Sequence, residues 1–183
     1  QKTDTVNKSM LVLRRFQALE TFLLGYIDAD ELSMNYKELN EAALADGVKT
    51  SSVNSIKTLF YYWTIRSYIE KEQDQATNRV VIAPRMSLER MRNIRQKSYG
   101  IAEFIINYLF DISGEINSQK EETLVGFSVM ELINGYKATS IIDVNENDIE
   151  EALLFLSKIG ALKLEGGFLV LYSGMRIKRL ELD

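Results

Sequence analysis

The chain has 183 residues, of which 46% are apolar, with ten glycines and one proline, a composition that excludes a disordered or collagen-like chain. Lys and Arg together number 22 and Asp and Glu 26, so the formal net charge is −4 and no overall positive field attracts polyanions. Because the chain has no Cys and no His, disulfides, thiolate nucleophiles, structural zinc sites and histidine bases are all excluded within it.

An amphipathic helix is predicted over Met10–Ile27, because apolar residues recur there at helical spacing. Its apolar face consists of Leu13, Phe16, Leu23 and Ile27. Glu20 is expected on another side of this helix, together with the neighbouring arginines. Upstream, the chain begins at Gln1 without the apolar core of a signal peptide, so we expect it to be a piece of a longer protein.

Two shorter helices are predicted next. Asn35 followed by Glu38 has the spacing of a capping box, and Asp46-Gly47 ends the helix that it opens. Residues 50–55 then offer several capping side chains ahead of an apolar quartet at i, i+3, i+4 and i+7. The quartet, Ile56, Leu59, Phe60 and Trp63, is expected to pack in a core.

A hairpin with a long tip is predicted after the third helix. Tyr68 and Ile69 lead into the polar stretch of residues 70–78, and the β-branched run of residues 80–82 follows. Pro84 ends this part of the chain. Ser87 can cap another helix, which we expect to be bent or divided near Gly100.

The same order of elements returns 93 residues later. Adding 93 converts Asn35 to Ser128 and Glu38 to Glu131, and it places the quartet from Ile56 onto residues 149–156. A second hairpin is predicted over residues 162–172, with its turn at Gly166-Gly167. We infer an internal duplication, with one repeat in residues 1–84 and a linking helix plus the second repeat in residues 85–183.

Three helices followed by a hairpin is the order of a winged helix. The predicted fold is therefore mainly α with small β-hairpins, in a tandem pair of winged helices. Such domains bind DNA by laying the third helix in the major groove while the hairpin, or wing, touches the backbone. DNA binding by such domains depends on hydrogen-bond donors on the outer face of the third helix.

Candidate DNA contacts lie in the first repeat and on the linking helix. The first repeat offers Lys49, Asn54 and Lys57 around its third helix and Arg79 on its wing. The linking helix is the most basic stretch, and three of its arginines fit one face at helical spacing; they are Arg85, Arg92 and Arg95. A solvated helix surface is the default interpretation of these arginines, and a patch that follows the phosphates is the alternative.

The second repeat has a different surface. Its third helix carries Glu146, Asp148, Glu150 and Glu151 against Lys158, so we expect it to stay out of a DNA groove. Acidic residues in a first helical turn also favour the helix dipole and need no function. Phe168, after the glycine turn, is expected to pack as a strand residue, with a wedge at the wing tip as the alternative.

Tyrosines beside the quartet are the remaining candidates for contact. Tyr61, Tyr62 and Tyr68 are predicted to lie off or beside the core stripe. Stacking on bases and contact with a neighbouring domain are both open to them.

The stretch EALLFLSKIGALKLEGGFLVLYSGMRIKRLEL, residues 151–182, resembles the winged-helix region of RecQ-family ATP-dependent DNA helicases, above all the large bacterial type. Residues 35–72 similarly resemble an accessory module behind a helicase motor. The resemblance implies roles in DNA repair and recombination, a cytoplasmic, nucleoid-associated location, and duplex or forked DNA and the motor lobes of the parent chain as partners.

The resemblance also implies that ATP and Mg²⁺ are bound in motor lobes, which are not in this sequence. A phosphate-binding G-x-x-x-x-G-K-[ST] loop and an acidic helicase box are both missing, so no cofactor and no enzymatic activity are expected of this stretch by itself. Family members carry a four-cysteine zinc site ahead of the winged helix, and this sequence has none.

Two alternatives to DNA binding are a protein-docking scaffold, as in partners of chromosome-condensation complexes, and a transcription regulator.

Overall fold

A computed structural model describes residues 2–27, 31–118, 126–171 and 176–180. The fold is mixed α+β, with long helices and two small sheets, as the sequence predicts. The chain separates into two compact units. The first unit is Arg14–Gln96, and the second unit combines Gln1–Leu13 with Lys97–Asp183. The sequence repeat is divided after residue 84 instead, and that boundary stays a prediction about the duplication.

The first unit contains two whole helices, parts of two others and a three-stranded antiparallel sheet. Its helical elements are α1 (Lys2–Tyr26), which the unit enters at Arg14, α2 (Tyr36–Ala45) and α3 (Val53–Ile65). Its strands are β1 (Leu32–Met34), β2 (Ile69–Asp74) and β3 (Arg79–Pro84), in the order β1-β3-β2. The first turns of α4 (Leu88–Ser118), up to Gln96, complete the unit.

The second unit repeats this order after the rest of α4. Its strands are β4 (Gly126–Phe127), β5 (Lys163–Glu165), β6 (Phe168–Val170) and β7 (Arg176–Arg179), in the order β4-β7-β6-β5. Between β4 and β5 lie α5 (Val129–Thr139) and α6 (Glu146–Lys158). β4 pairs with β7 in parallel, and the other pairs are antiparallel.

The register of 93 residues is confirmed by the helix bounds. α3 spans Val53–Ile65 and α6 spans Glu146–Lys158, so each end is displaced by 93 positions. The N-caps follow the same register, since Ser52 and Asn35 in the first unit correspond to Asn145 and Ser128 in the second. Helix, strand, helix, helix and hairpin thus occur twice in the same order.

The predicted N-caps form, but the Glu131 carboxylate of the second predicted capping box binds a tyrosine instead. The side chains of Asn35 and Ser128 accept from the backbone N–H of the residue three positions on, at 2.7 and 3.0 Å. The carboxylate of Glu131 accepts from the Tyr108 hydroxyl at 3.0 Å, on a neighbouring helix. Both bonds of a capping box are present instead at Asn145 and Asp148, each 3.0 Å long.

Three details of the sequence prediction are wrong. α4 is not divided at Gly100, because the flanking residues supply a continuous buried stripe. The first hairpin has a short tip, since the polar residues 70–74 belong to β2 and only residues 75–78 form the turn. Strands β1, β4 and β7 were not predicted, because each has only two to four residues, too few for a periodic signal.

Candidate nucleic-acid interface

The outer face of α3 is defined by what the inner face buries. Ser52 caps the helix by accepting from the backbone N–H of Ser55 at 3.1 Å. From that start the apolar quartet Ile56, Leu59, Phe60 and Trp63 is buried as predicted, each member at most 1% exposed. Asn54 and Lys57, three positions apart, lie on the opposite, exposed side.

Lys57 contacts the start of α2 through an aromatic ring. Its ammonium lies 5.1 Å from the centroid of the half-buried Tyr36 ring, and burial raises the pKa of that phenol. A cation over a ring keeps its charge available to an anion on its other side. Lys49, in the turn that precedes α3, is exposed and has no ion pair within the described part of the chain. Lys49, Asn54 and Lys57 are therefore donors left open to solvent around α3.

Arg79, the first residue of β3, makes contacts that stabilise the fold. Its guanidinium donates to the backbone carbonyl of Ser33 at 2.6 Å and to the Ser33 hydroxyl at 3.1 Å. A carboxylate oxygen of Glu38 lies 3.9 Å from it. These contacts join β3 to β1, so Arg79 stabilises the sheet edge and a phosphate would have to displace them.

The three arginines predicted to share a face do not form a patch. Arg85 follows β3, ahead of the helix, and pairs with Glu70 of β2 at 3.2 Å. Arg92 donates to the carbonyl of Leu24 in the last turn of α1, at 2.8 Å. The expected stripe is wrong because each side chain has a different partner within the first unit.

Arg95 is not a surface residue at all. Its side chain is 2% exposed and that of Glu20 is 1% exposed, with Arg95 Nε 2.7 Å from Glu20 Oε2. Trp63 Nε1 donates to the same oxygen at 2.8 Å. The placement of Glu20 away from the core is therefore wrong, and Arg95 is excluded from contact with a phosphate.

Two of the three tyrosines were also misplaced by the sequence prediction. Tyr62 and Tyr68 are buried, at 0% and 4% exposure, with their rings edge to face at 6.4 Å. Tyr62 contacts Arg95, whose guanidinium carbon lies 4.8 Å from the ring centroid. Tyr61 is 52% exposed, on the same side of α3 as Asn54 and Lys57. The sequence prediction missed Ile65, which extends this side and is 41% exposed.

Two acidic residues of α6, Asp148 and Glu150, have structural roles. Asp148 accepts the N-cap bond of Asn145 and pairs with Lys97 of α4 at 3.0 Å. Glu150 pairs with Arg179 of β7, with one bond of 3.1 Å. These contacts agree with the interpretation that the acids serve the helix and its packing.

Phe168 is the first residue of β6, directly after the turn at Gly166 and Gly167. Both glycines have positive φ, 52° and 86°, as a tight hairpin turn requires. The half-buried ring of Phe168 lies 4.7 Å from the guanidinium carbon of Arg176. The expectation of a packed strand residue is thus met.

The two units differ in charge. Arg14–Gln96 contains 12 Lys and Arg against 11 Asp and Glu, a net charge of +1. The remainder contains 10 against 15, a net charge of −5. The first unit therefore repels the phosphates of a nucleic acid less than the second unit does.

Comparison with known proteins gives no relative: no protein-family model, no curated protein and no solved structure matches this chain. In the ranges that the structure describes, no helix is long and apolar enough to cross a membrane. No group of three or more acidic side chains that could hold a metal ion occurs among the same residues.

Proposed function

We propose that this chain is a tandem winged-helix accessory region of a RecQ-like DNA helicase, and that its first unit binds duplex or forked DNA. The proposal places the outer face of α3 in the major groove, with the β2–β3 hairpin beside the backbone. It is supported by the repeated element order and by the resemblance of residues 35–72 and 151–182 to that family.

One observation carries the proposal. Asn54, Lys57 and Lys49 are exposed around the third helix without a carboxylate partner among the described residues, whereas the predicted arginines have partners inside the fold. Lysines can neutralise phosphates, and an Asn amide can read a base edge. The interface is therefore smaller than the sequence predicts, and its affinity should be modest and steeply dependent on salt.

The motor lobes of the parent chain are the second proposed partner, and ATP with Mg²⁺ belongs to those lobes. A cytoplasmic location at the nucleoid and roles in DNA repair and recombination follow from the same proposal. Nothing in the described side chains is assigned a catalytic role.

A protein-docking scaffold is the alternative, and one feature of the second unit favours it. Ile141 and Ile142, in the loop between α5 and α6, are 105% and 48% exposed, and Met130 on α5 is 56% exposed. A cavity of about 630 Å³ beside Met130 is lined partly by Ile133, Val144 and Leu180. Exposed apolar side chains of this kind are typical of protein contact. A transcription regulator has no comparable observation in its favour.

The test is fluorescence anisotropy with a labelled forked duplex over a salt series, comparing the wild type with K49E/K57E. The proposal predicts micromolar binding at low salt, a loss of at least about tenfold in the variant, and a salt slope lower by about 2. The matched control is K8E/K163E, which makes the same charge change at exposed lysines of the second unit. Equal losses in both variants, or no wild-type binding, would reject the α3 face as a DNA site.

A further inference from the structure

A buried polar cluster on the inner side of α3 joins helices α1, α3 and α4 in the first unit. It consists of Glu20 on α1, Tyr62 and Trp63 on α3, and Arg95 on α4. Arg95 Nε and Nη2 donate to the two carboxylate oxygens at 2.7 and 3.3 Å, and Nη1 donates to the Tyr62 hydroxyl at 3.5 Å. The side chain of every member is buried.

Hydrophobic packing alone does not account for this arrangement. A buried ion pair is commonly no more stabilising than a well-packed apolar pair of the same volume, because both charges lose their hydration. The ion pair adds a geometric constraint, because a guanidinium and a carboxylate bind each other in few orientations. With an apolar pair in its place, we expect α3 to rotate or slide between packings of similar energy.

The cluster holds α3 at two successive positions. Tyr62 and Trp63 are separated by about 100° around the helix, and each contacts a different member of the ion pair. Fixing two directions sets both the rotation of the helix and its position along its axis. Asn54 lies nine positions before Trp63, and at 3.6 residues per turn it therefore projects about 180° away from it.

We propose that Glu20 and Arg95 are positioning residues for the outer face of α3, and that their ion pair fixes the direction in which Asn54 and Lys57 are presented. This inference rests on the proposed function for its DNA readout, although the position of α3 is measurable without DNA. Recognition groups must be held within about 10–20° of the productive geometry. A rotation of α3 beyond that range would cost contacts while leaving the unit folded.

The test is the double variant E20L/R95M, which replaces the ion pair by apolar residues of similar length. The inference predicts a protein that still folds cooperatively, faster amide exchange in α3, and affinity for the forked duplex reduced about tenfold. Its unfolding midpoint should lie below that of the wild type, because the buried Trp63 Nε1–H loses its acceptor. The control E165Q/R176Q removes the exposed ion pair between Glu165 of β5 and Arg176 of β7 in the second unit. It should keep wild-type amide exchange in α3 and wild-type affinity.

Wild-type affinity in a folded E20L/R95M protein would overturn the inference. If E20L/R95M does not fold cooperatively, R95K provides the test, because it keeps the charge and loses the fork. Its affinity should fall at least about threefold, and wild-type affinity would overturn the inference. If the wild type itself does not bind DNA, the proposed function fails, while amide exchange in α3 still decides whether the ion pair positions the helix.

Discussion

Glu20 and Arg95 form an ion pair at 2.7 Å in the interior of the first unit, 75 positions apart in the chain. The carboxylate also accepts from Trp63, the only tryptophan of the sequence. Removing one partner leaves the other charge buried without compensation. We expect Glu20→Leu to lower the free energy of unfolding by about 3–5 kcal/mol.

Urea unfolding followed by Trp63 fluorescence measures this change, because Trp63 reports directly on the cluster. Glu70→Leu is the control, since it removes the exposed partner of Arg85 in the same unit and should change stability by less than about 1 kcal/mol. Similar losses in both variants would mean that the Glu20 carboxylate is hydrated in solution.

Arg92 is predicted to act as a cap for α1. Its guanidinium donates to the Leu24 carbonyl in the last turn, where carbonyls lack partners within the helix. Arg92→Ala should lower stability by about 1–2 kcal/mol and leave the salt slope of DNA binding unchanged. Arg90→Ala is the matched control, because Arg90 is exposed on the same helix and its side chain has no partner among the described residues.

The outcome separates the two interpretations of the basic linking helix. Thermal denaturation of R92A and R90A measures the change in stability. Fluorescence anisotropy at several salt concentrations measures the salt dependence of DNA binding. Weaker DNA binding in R92A at undiminished stability would show that Arg92 leaves Leu24 to take a phosphate.

Helix bounds and caps could be predicted from the sequence because their causes are local. The caps at Asn35, Ser128 and Asn145 depend on a side chain and a backbone N–H three positions on. The register of 93 also needed only the spacing of apolar residues. Strands β1 and β4 depend on partners about 50 positions away in the chain, so their short sequences contain no periodic signal.

The cluster behind α3 shows where residue type misled the prediction. The spacing of Leu13, Phe16 and Leu23 places position 20 on the same face, yet its charge led us to assign Glu20 to another side. Burial of an acid depends on a cation that tertiary structure brings to it, and Arg95 lies on a different helix. Periodicity interrupted by one acid at a core position is the signal that could have located this pair.

Gly135 on α5 is predicted to allow close packing against α4. A Cβ at this position would lie 2.9 Å from Cζ of Phe104, which packs edge to face on Tyr136 at 5.6 Å. Gly135→Ala should therefore lower the unfolding free energy of the second unit by about 1–3 kcal/mol through overpacking. Gly100→Ala is the control, because its Cβ would meet only the Tyr136 hydroxyl oxygen at 3.6 Å.

The control should change stability in the opposite direction. Alanine in a helix interior gains about 0.5–1 kcal/mol over glycine where space allows. Thermal melts of both variants followed by circular dichroism measure the pair. A stabilised G135A would indicate that Phe104 moves aside without loss of packing.

Asp74, at the end of β2, is predicted to make the first hairpin turn sensitive to acid. Its carboxylate accepts from the backbone N–H of Ala76 at 2.9 Å, and that hydrogen bond lowers the pKa of Asp74 below its ordinary value of about 3.9. A lowered pKa means that the folded turn favours the charged form. The stabilisation is therefore present above pH about 4 and is lost as the pH falls through the pKa of the folded state.

The Ala76 amide proton is the direct reporter of this turn. Its NMR chemical shift should move with the Asp74 titration, and its hydrogen exchange, corrected for the intrinsic effect of pH, should lose protection once the carboxyl is protonated. Asp74→Ala should abolish the acid-dependent step while leaving the pairing of β2 with β3 intact, because the carboxylate takes no part in that ladder. An unchanged pH profile of Ala76 in the variant would show that another group titrates there.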